Sequence, residues 1–290
     1  MPLPNSWQFQ AIGTDWNIQT NVLLSEDTKT QIRELIEVFD YNYSRFRPDS
    51  IVRKMHDFPG SYSFSEPNFP DLYTLYEKLH KLTSGAVTPY VGGVLVNAGY
   101  DEKYGLRSFS GTLSVPKFNE VIWDGKSTLT TSQSILLDVG AAAKGLLVDQ
   151  IAELLLKMKL SEWFIDASGD SAHQASSSYT IGLENPFDTS KILGTIKLLN
   201  ESLCASAINR RAWKNGHHVI DGRTGRPTED IVATWVISDS TMLADGLATG
   251  LFFSWEELNI AYPDAAYLRI DSGGTIEMNQ AMEERITLLG

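Results

Sequence analysis

Apolar residues recur at helical spacing in four segments of the chain. Between residues 26 and 43 they fall on one helix face, and Ser25 is the predicted N-cap. The same spacing predicts helices over 71–83, from just after Asp138 to about residue 158, and over 241–253. The last of these segments is compact and has a face rich in alanine and glycine.

Shorter apolar runs predict strands in much of the remaining chain. Residues 8–23 are predicted to be strand with a bend at Gly13, and Asp124-Gly125 indicates a hairpin between 121–123 and 128–131. The other predicted strands are a short one ending at Asp138, and 163–166, 179–183, 194–198, 231–238, 265–270 and 275–278. We expect a polar turn over 171–178 and irregular chain over 85–117. Because strands and helices mix without strict βαβ alternation, the pattern favours an α+β (mixed α/β) fold, with one domain over residues 1–290.

Composition narrows the classes of protein that this chain can belong to. Of its 290 residues, 42% are apolar and 21% are charged, which is typical of a globular protein and excludes disorder, collagen and coiled coil. Lys and Arg number 24 against 36 Asp and Glu, so the formal charge is −12. This acidity argues against a nucleic-acid partner, and an anionic small ligand would need a metal, a lysine or helix N-termini beside it.

The chain shows no sign of a membrane span or a disulfide. It has no run of about 18 apolar residues, and its single cysteine, Cys204, cannot form an internal disulfide. The opening residues lack a basic region, an apolar stretch and a lipid-attachment cysteine. As written, the chain is expected to be cytoplasmic; a trimmed signal peptide or lipobox would place it in the periplasm or at the cell surface.

Small residues surround a lysine at a predicted strand-to-helix turn, Asp138–Gly145. They let the backbone approach a ligand closely, while the helix N-terminus and Lys144 favour negative charge. The alternative is a tight turn that serves helix packing only. The segment fits neither the P-loop nor the dinucleotide-binding spacing.

Two further segments carry side chains suited to catalysis or metal binding. His217 and His218 lie close before Asp221 in a turn, where an aspartate can orient an imidazole as a general base. Asp245 and Thr249 are four residues apart and share a helix face, so both present oxygen to a hard cation such as Mg²⁺. The alternatives are a polar β-turn for the first segment, and a surface aspartate with a threonine bonded to its own helix for the second.

In this order and spacing, the segments resemble the ApbE-type flavin transferase family, whose members are FAD:protein FMN transferases. The resemblance spans nearly the whole chain. The matching segments are Ile12-Gly13-Thr14, Ser44–Ser50, Gly85–Pro89, Asp138–Gly145 with Val148-Asp149, Ser168-Gly169-Asp170, His218–Gly225 and Ala244–Thr249. Four positions depart from the family pattern: Val87-Thr88 replaces Phe-Asp, Ala141 replaces a glycine, and Gly222 replaces a proline.

The resemblance implies a set of functional residues and an ApbE-like fold with antiparallel-rich sheets and packed helices. Mg²⁺ would be held by the Ala143 carbonyl, Asp245 and Thr249. His218 would be the base, with Asp221 nearby. The residues implied in flavin nucleotide binding are Ile12, Pro89, Asp138, Lys144, and Val219 or Ile220.

The reaction that the resemblance implies is Mg²⁺-dependent transfer of FMN from FAD to a Thr or Ser hydroxyl of a target flavoprotein, with release of AMP. The partners would then be FAD and an acceptor flavoprotein. Two alternatives stay open at this point. Water could replace the acceptor, which would make the protein an FAD pyrophosphatase, or the protein could bind FAD without catalysis.

Overall fold

The helices that the sequence predicts are present, and several further ones join them. The computed structural model describes residues 3–101, 105–107, 109, 114–214 and 216–289. Within these ranges the chain forms eight α-helices: α1 (Glu26–Tyr43), α2 (Ile51–Asp57), α3 (Phe69–Leu82), α4 (Gly92–Asn97), α5 (Ala143–Lys157), α6 (Thr241–Gly250), α7 (Glu256–Ala261) and α8 (Gln280–Glu283). In this part of the chain, none of the helices is long and apolar enough to cross a membrane.

An eight-stranded antiparallel sheet runs through the molecule. Its strands, in spatial order, are β1 (Asn5–Ala11), β2 (Thr14–Thr20), β6 (Trp163–Asp166), β7 (Asp170–Gln174), β10 (Ser202–Ala207), β15 (Ile231–Ser238), β16 (Ala266–Asp271) and β17 (Ile276–Met278). Two three-stranded sheets accompany it: β3 (Ser61–Ser63), β5 (Thr128–Thr131) and β4 (Val121–Trp123), and β18 (Ile286–Leu288), β9 (Asp188–Leu198) and β8 (Tyr179–Asn185). Two short pairs complete the strands: β11 (Ala212–Trp213) with β12 (Gly216–His217), and β13 (Ile220–Asp221) with β14 (Arg226–Pro227). The α+β prediction is therefore confirmed.

The central strands of the large sheet supply side chains to two cores. Side chains alternate between the two faces of a strand, so Cys204 and Val236 join the cluster that includes the helices, whereas Leu203 and Trp235 join the cluster with β8 and β9. Helices α5 and α6 pack on each other, and α6 lies against β10 and β15. The large sheet is thus covered by helices on one face and by the small β18-β9-β8 sheet on the other.

The helix over 26–43 was predicted correctly, whereas two other predictions were wrong. In α1, the Ser25 hydroxyl accepts a hydrogen bond from the Thr28 amide, as expected of an N-cap. The strand expected to end at Asp138 is irregular chain, because the Asp138 amide donates to the Pro89 carbonyl at 2.7 Å instead of to a strand. The expected polar turn over 171–178 is instead the end of β7 followed by a bend, since pairing with β6 and β10 satisfies its backbone.

Each of the helices α5 and α6 supplies a carboxylate that caps the N-terminus of the other. Asp149 of α5 accepts hydrogen bonds from the Ser240 hydroxyl and from the amides of Thr241 and Met242, at 2.8–2.9 Å. Asp245 of α6 accepts a 3.0 Å hydrogen bond from the Gly145 amide in the first turn of α5. These bonds satisfy amides that a helix leaves unpaired at its start, and negative charge is favoured there.

Gly145 makes this close approach possible. A methyl group at this position would lie 2.3 Å from the Thr241 carbonyl oxygen and 2.9 Å from Cβ of Asp245. Gly145→Ala should therefore force the two helices apart and lower the free energy of unfolding by about 1–3 kcal/mol, measured by urea denaturation.

The matched control for that substitution is Gly93→Ala in α4, where a methyl group would meet no atom within 4 Å. Alanine is the better helix former, so we expect this variant to be as stable as the wild type or up to about 1 kcal/mol more stable. Equal stability of both variants would show that the α5–α6 contact is not tight.

Candidate active site

The turn before α5 holds Asp138 in an ion pair with a residue 93 positions away. Arg45 Nε donates to Asp138 Oδ2 at 2.6 Å, and the Gly140 amide donates to Oδ1 at 2.9 Å. Burial opposes the charged form, but Arg45 and the Gly140 amide together hold the pKa of Asp138 below its usual range. Asp138, at the start of the turn, is therefore an ionised hydrogen-bond acceptor.

Lys144 is also paired within the protein. Its Nζ lies 2.5 Å from Asp170 Oδ2 and donates to the Ala167 carbonyl at 2.9 Å. Asp170 is only 1% exposed and lies at the start of β7. The lysine therefore sits in the site with its charge already matched by a buried carboxylate.

Asp245 lies next to this pair, so two buried carboxylates share one lysine. Burial and the neighbouring charge of Asp170 raise the pKa of Asp245 well above its usual value. If both carboxylates were ionised, the position would carry one negative charge more than Lys144 neutralises, and the raised pKa of Asp245 reflects this. An added cation would suit it for that reason.

Thr249 provides a second oxygen one helical turn after Asp245. Its Oγ1 lies 3.5 Å from the carbonyl oxygen of Ala141. The Ala141 amide, in the peptide before this carbonyl, donates to the Tyr76 hydroxyl at 3.1 Å and so holds the turn at Ala141. Ala143, whose carbonyl was expected to be the third oxygen, is the first residue of α5, and its role as a ligand stays a prediction. The carbonyl that the structure shows near Thr249 is that of Ala141.

The oxygen atoms of Asp245, Thr249 and Ala141 suit a hard cation. A carboxylate, a hydroxyl and a carbonyl are oxygen ligands of the kind that Mg²⁺ prefers, and three of them leave positions for water or phosphate. Among the described residues, no group of three or more His, Cys, Asp and Glu side chains could hold a metal ion. A transition-metal centre built from such side chains is therefore absent from that part of the chain.

His218 has one ring nitrogen that no group of the described chain satisfies. The carbonyl of Arg211 is a hydrogen-bond partner of the ring, whereas Nδ1 is buried and has no partner among the described residues. The nitrogen that donates to Arg211 is therefore Nε2, which leaves a free lone pair on Nδ1. Burial, with the charge of Arg211, lowers the pKa of His218 to about 3.

The neighbouring His217 has a structural role. Its Nε2 lies 2.7 Å from the Thr228 carbonyl, and its Nδ1 accepts from the Val219 amide at 3.2 Å. These bonds hold the two ends of the loop from His217 to Thr228 together. Both ring nitrogens are used, in contrast to those of His218.

Asp221 shapes the turn that follows His218. Its carboxylate accepts from the backbone amide and the guanidinium of Arg223, with the closest contact at 2.7 Å, and its carbonyl accepts from the Thr224 and Gly225 amides. The structure thus pairs Asp221 with Arg223 and not with the imidazole of His218.

Two of the departures from the family pattern contact each other. The Gly222 amide donates to the Ala86 carbonyl at 2.8 Å, a bond that a proline could not make. A methyl group at Gly222 would lie 2.5 Å from the Thr88 side-chain methyl and 2.8 Å from the Gly85 carbonyl. Gly222 therefore lies against Thr88, and its amide docks the His218 loop on the Gly85–Pro89 segment.

The other residues expected to bind the flavin nucleotide have different surroundings. Ile12 is half-buried at the tip of the β1–β2 hairpin, in a left-handed conformation (φ 45°) that is strained for a β-branched residue and is often found at functional sites. Pro89 accepts from the Asp138 amide, so it lies beside the turn. Val219 and Ile220 are both buried in hydrophobic clusters, with Phe252 and with Trp213 respectively.

Comparison with known proteins identifies the family. The model of the ApbE family matches residues 12–264, so the chain belongs to the ApbE family. Curated relatives named FAD:protein FMN transferase include one from Vibrio cholerae, 25% identical over 88% of this chain and 82% of that protein, and one from Haemophilus influenzae, 25% identical over 90% and 84%.

Solved structures agree on the fold. The ApbE protein of Thermotoga maritima superposes with a TM-score of 0.85 at 21% identity, covering 97% of this chain and 98% of that one. The flavin transferase ApbE of Vibrio cholerae superposes with a TM-score of 0.78 at 21% identity, with the same coverage. The predicted family and ApbE-like fold are thus confirmed.

Two residues that contact the predicted site residues had no assigned role in the sequence interpretation. Arg45 lies in the Ser44–Ser50 segment and Asp170 in the Ser168-Gly169-Asp170 segment, so both were within recognised motifs. Their partners, Asp138 and Lys144, are far away in sequence. Only the fold shows these pairs.

The state of His218 gives a prediction that does not need substrate. Because its folded pKa is about 3, its imidazole should stay neutral from pH 9 to about pH 4.5, and its NMR ring signals should not shift over that range. In urea-unfolded protein the same histidine should titrate near its usual value of 6.5. The depressed pKa also means that its contribution to stability is present above pH 6.5 and is lost as the pH falls towards 3. Titration near 6.5 in the folded protein would contradict the buried position.

Proposed function

We propose that this protein transfers FMN from FAD to a Thr or Ser hydroxyl of an acceptor flavoprotein and releases AMP. The observation that carries this proposal is the oxygen set of Asp245, Thr249 and Ala141 beside the Lys144–Asp170 pair, in a chain of the ApbE family. The names of the curated relatives support the same reaction. We further propose that residues 1–290 form one domain, since the large sheet takes strands from Asn5 to Met278.

The cation in this proposal is Mg²⁺. Asp245 and Thr249 would hold it, with the Ala141 carbonyl as the third protein ligand; Ala143, which the family resemblance implied, stays a prediction. When bound, Mg²⁺ neutralises charge on the pyrophosphate oxygens of FAD.

The side chains and amides of this chain have three tasks in the reaction. Lys144 faces the anionic pyrophosphate, together with the positive end of the α5 helix dipole. Asp138 orients the flavin nucleotide through its ionised carboxylate. Ile12, Pro89, Val219 and Ile220 stay as predicted contacts to that nucleotide, and Asp221 stays a predicted catalytic residue that also shapes the turn.

His218 is the proposed base. The acceptor hydroxyl oxygen forms a bond to the phosphorus on the riboflavin side, the pyrophosphate P–O bond breaks, and AMP leaves with the electron pair. The hydroxyl proton passes to Nδ1 of His218, the nitrogen without a partner in the described chain. Its pKa of about 3 in the free protein keeps it unprotonated, and the anionic substrate beside it raises its basicity.

Asp245→Asn tests the cation site. It keeps the shape of the side chain but removes the charge, so we expect FMN transfer to fall by at least about 100-fold at limiting Mg²⁺, with the fold intact. Transfer is measured from the intact mass of an acceptor flavoprotein and from AMP release. Mg²⁺ binding in the presence of FAD, measured by calorimetry, should weaken in parallel.

The matched control for the cation site is Asp239→Asn, an exposed aspartate just before α6, which should keep full activity and metal affinity. Full activity of Asp245→Asn at limiting Mg²⁺ would refute the metal assignment. AMP release that does not depend on an acceptor would instead indicate the pyrophosphatase, and FAD binding without AMP would indicate a binding protein.

His218→Ala tests the base. Loss of a general base should lower FMN transfer by about 10²–10⁴ while FAD binding is preserved. The comparison variant is His56→Ala, because Nδ1 of His56 lies 2.9 Å from the exposed Ser134 hydroxyl and His56 is not among the predicted site residues. A loss below about 10-fold in His218→Ala would leave His218 with an orienting role only.

A further inference from the structure

Arg45 is a buried arginine whose hydrogen bonding is incomplete. Its side chain is 3% exposed. The guanidinium donates from Nε to Asp138 and from Nη1 to the Tyr100 carbonyl at 2.5 Å, and it stacks on the rings of Phe46 and Tyr100 at 4.1 and 4.6 Å. Nη2 is buried and has no hydrogen-bond partner among the residues that the structure describes.

An unpaired donor of this kind is costly. Leaving a buried charged group without its hydrogen bonds disfavours folding more than any neutral group would. The aromatic stacking and the two bonds that are made fix the plane of the guanidinium, so Nη2 cannot turn to find another partner. A group that arrives with a ligand is the natural acceptor.

The position of Nη2 limits what that acceptor can be. Nε and Nη2 lie on one edge of the planar guanidinium fork, so an acceptor bound by Nη2 lies beside the Asp138 carboxylate. The site therefore presents an acceptor, Asp138, directly next to a donor, Arg45. Ring systems that carry an N–H next to a carbonyl complement this pair.

We propose that Arg45 and Asp138 together bind the imide edge of the flavin ring, where one N–H lies between two carbonyl groups. Asp138 accepts the flavin N3–H, and Arg45 Nη2 donates to the adjacent flavin carbonyl. Arg45 thus acts as a specificity residue as well as the residue that positions Asp138. This inference rests on FAD being the substrate of the proposed function. It specifies the part of FAD that Arg45 and Asp138 bind.

The charges around Arg45 and Asp138 favour a ligand with an electron-rich edge. Arg211 lies close enough to favour the ionised form of Asp138 and to disfavour protonation of His218. Two guanidinium groups thus act on the Asp138 carboxylate, in a chain of formal charge −12. The flavin carbonyls next to the N–H are the electron-rich part of that edge.

The test is equilibrium binding of two ligands without any acceptor protein, followed by flavin fluorescence. Wild-type protein should bind FAD at least about 10-fold more tightly than FAD methylated at N3, which has lost the N–H. Arg45→Gln should bind FAD about 10–100-fold more weakly, as expected for a lost hydrogen bond from a charged group. In this variant the preference for FAD over the methylated ligand should shrink to about 3-fold or less.

Two controls separate specific recognition from a structural role of Arg45. ADP lacks the flavin ring, so its affinity, measured by calorimetry, should be the same in Arg45→Gln and wild type. Arg47→Gln removes a neighbouring arginine that pairs with Glu37 and Asp49 at the surface, and it should leave all three affinities unchanged. If Arg45→Gln does not fold, Arg45→Lys keeps the positive charge without the fork and should still lose most of the preference for FAD.

The proposal is overturned if wild-type protein binds both flavins equally, if Arg45→Gln weakens ADP and FAD alike, or if Arg45→Lys keeps the full preference. A different result would refute the proposed transfer reaction without refuting this inference. Protein that prefers FAD over its methylated form through Arg45, yet never modifies an acceptor, would leave this inference standing and refute the transferase.

Discussion

Helices α5 and α6 cap each other with one aspartate each, and this reciprocal capping holds the candidate site together. Asp149 caps α6 and Asp245 caps α5, and Gly145 lets the helices come close enough for both bonds. Burying two carboxylates is unfavourable unless each is well bonded, and helix N-termini provide such bonding. Because Asp245 is also held beside Asp170, the same contact that joins the helices brings two buried carboxylates together and raises the pKa of Asp245, so a cation would be favoured there.

A second set of contacts joins the Asp138 turn and the His218 loop to one segment. The Asp138 amide donates to the Pro89 carbonyl, and the Gly222 amide of the His218 loop donates to the Ala86 carbonyl. Glycine at position 222, one of the departures from the family pattern, provides both the room and the amide that this contact needs. The loop held in this way carries His218, whose Nδ1 has no partner among the described residues.

Local patterns predicted well those elements that depend on local physics. The capped helix over 26–43 and the hairpin at Asp124-Gly125 follow from periodicity, an N-cap and turn chemistry, and both formed as expected. The strand β10 was missed because its sequence SLCASA is small and polar, and only its neighbours β7 and β15 define it. The site residues were named through a resemblance, but their partners were not. The pairing of Lys144 with Asp170 or of Asp138 with Arg45 has no trace in sequence spacing, because the fold alone brings these segments together.

A cation site at the α5–α6 contact that receives FAD can be observed by anomalous X-ray scattering from crystals grown with FAD and with Mn²⁺ in place of Mg²⁺. We expect one strong peak about 2.0–2.3 Å from a carboxylate oxygen of Asp245, the Thr249 hydroxyl and a backbone carbonyl of the Ala141 turn, with FAD phosphate oxygens completing the shell. A site without a peak while FAD is bound, or a metal bound to FAD away from Asp245, would contradict this expectation.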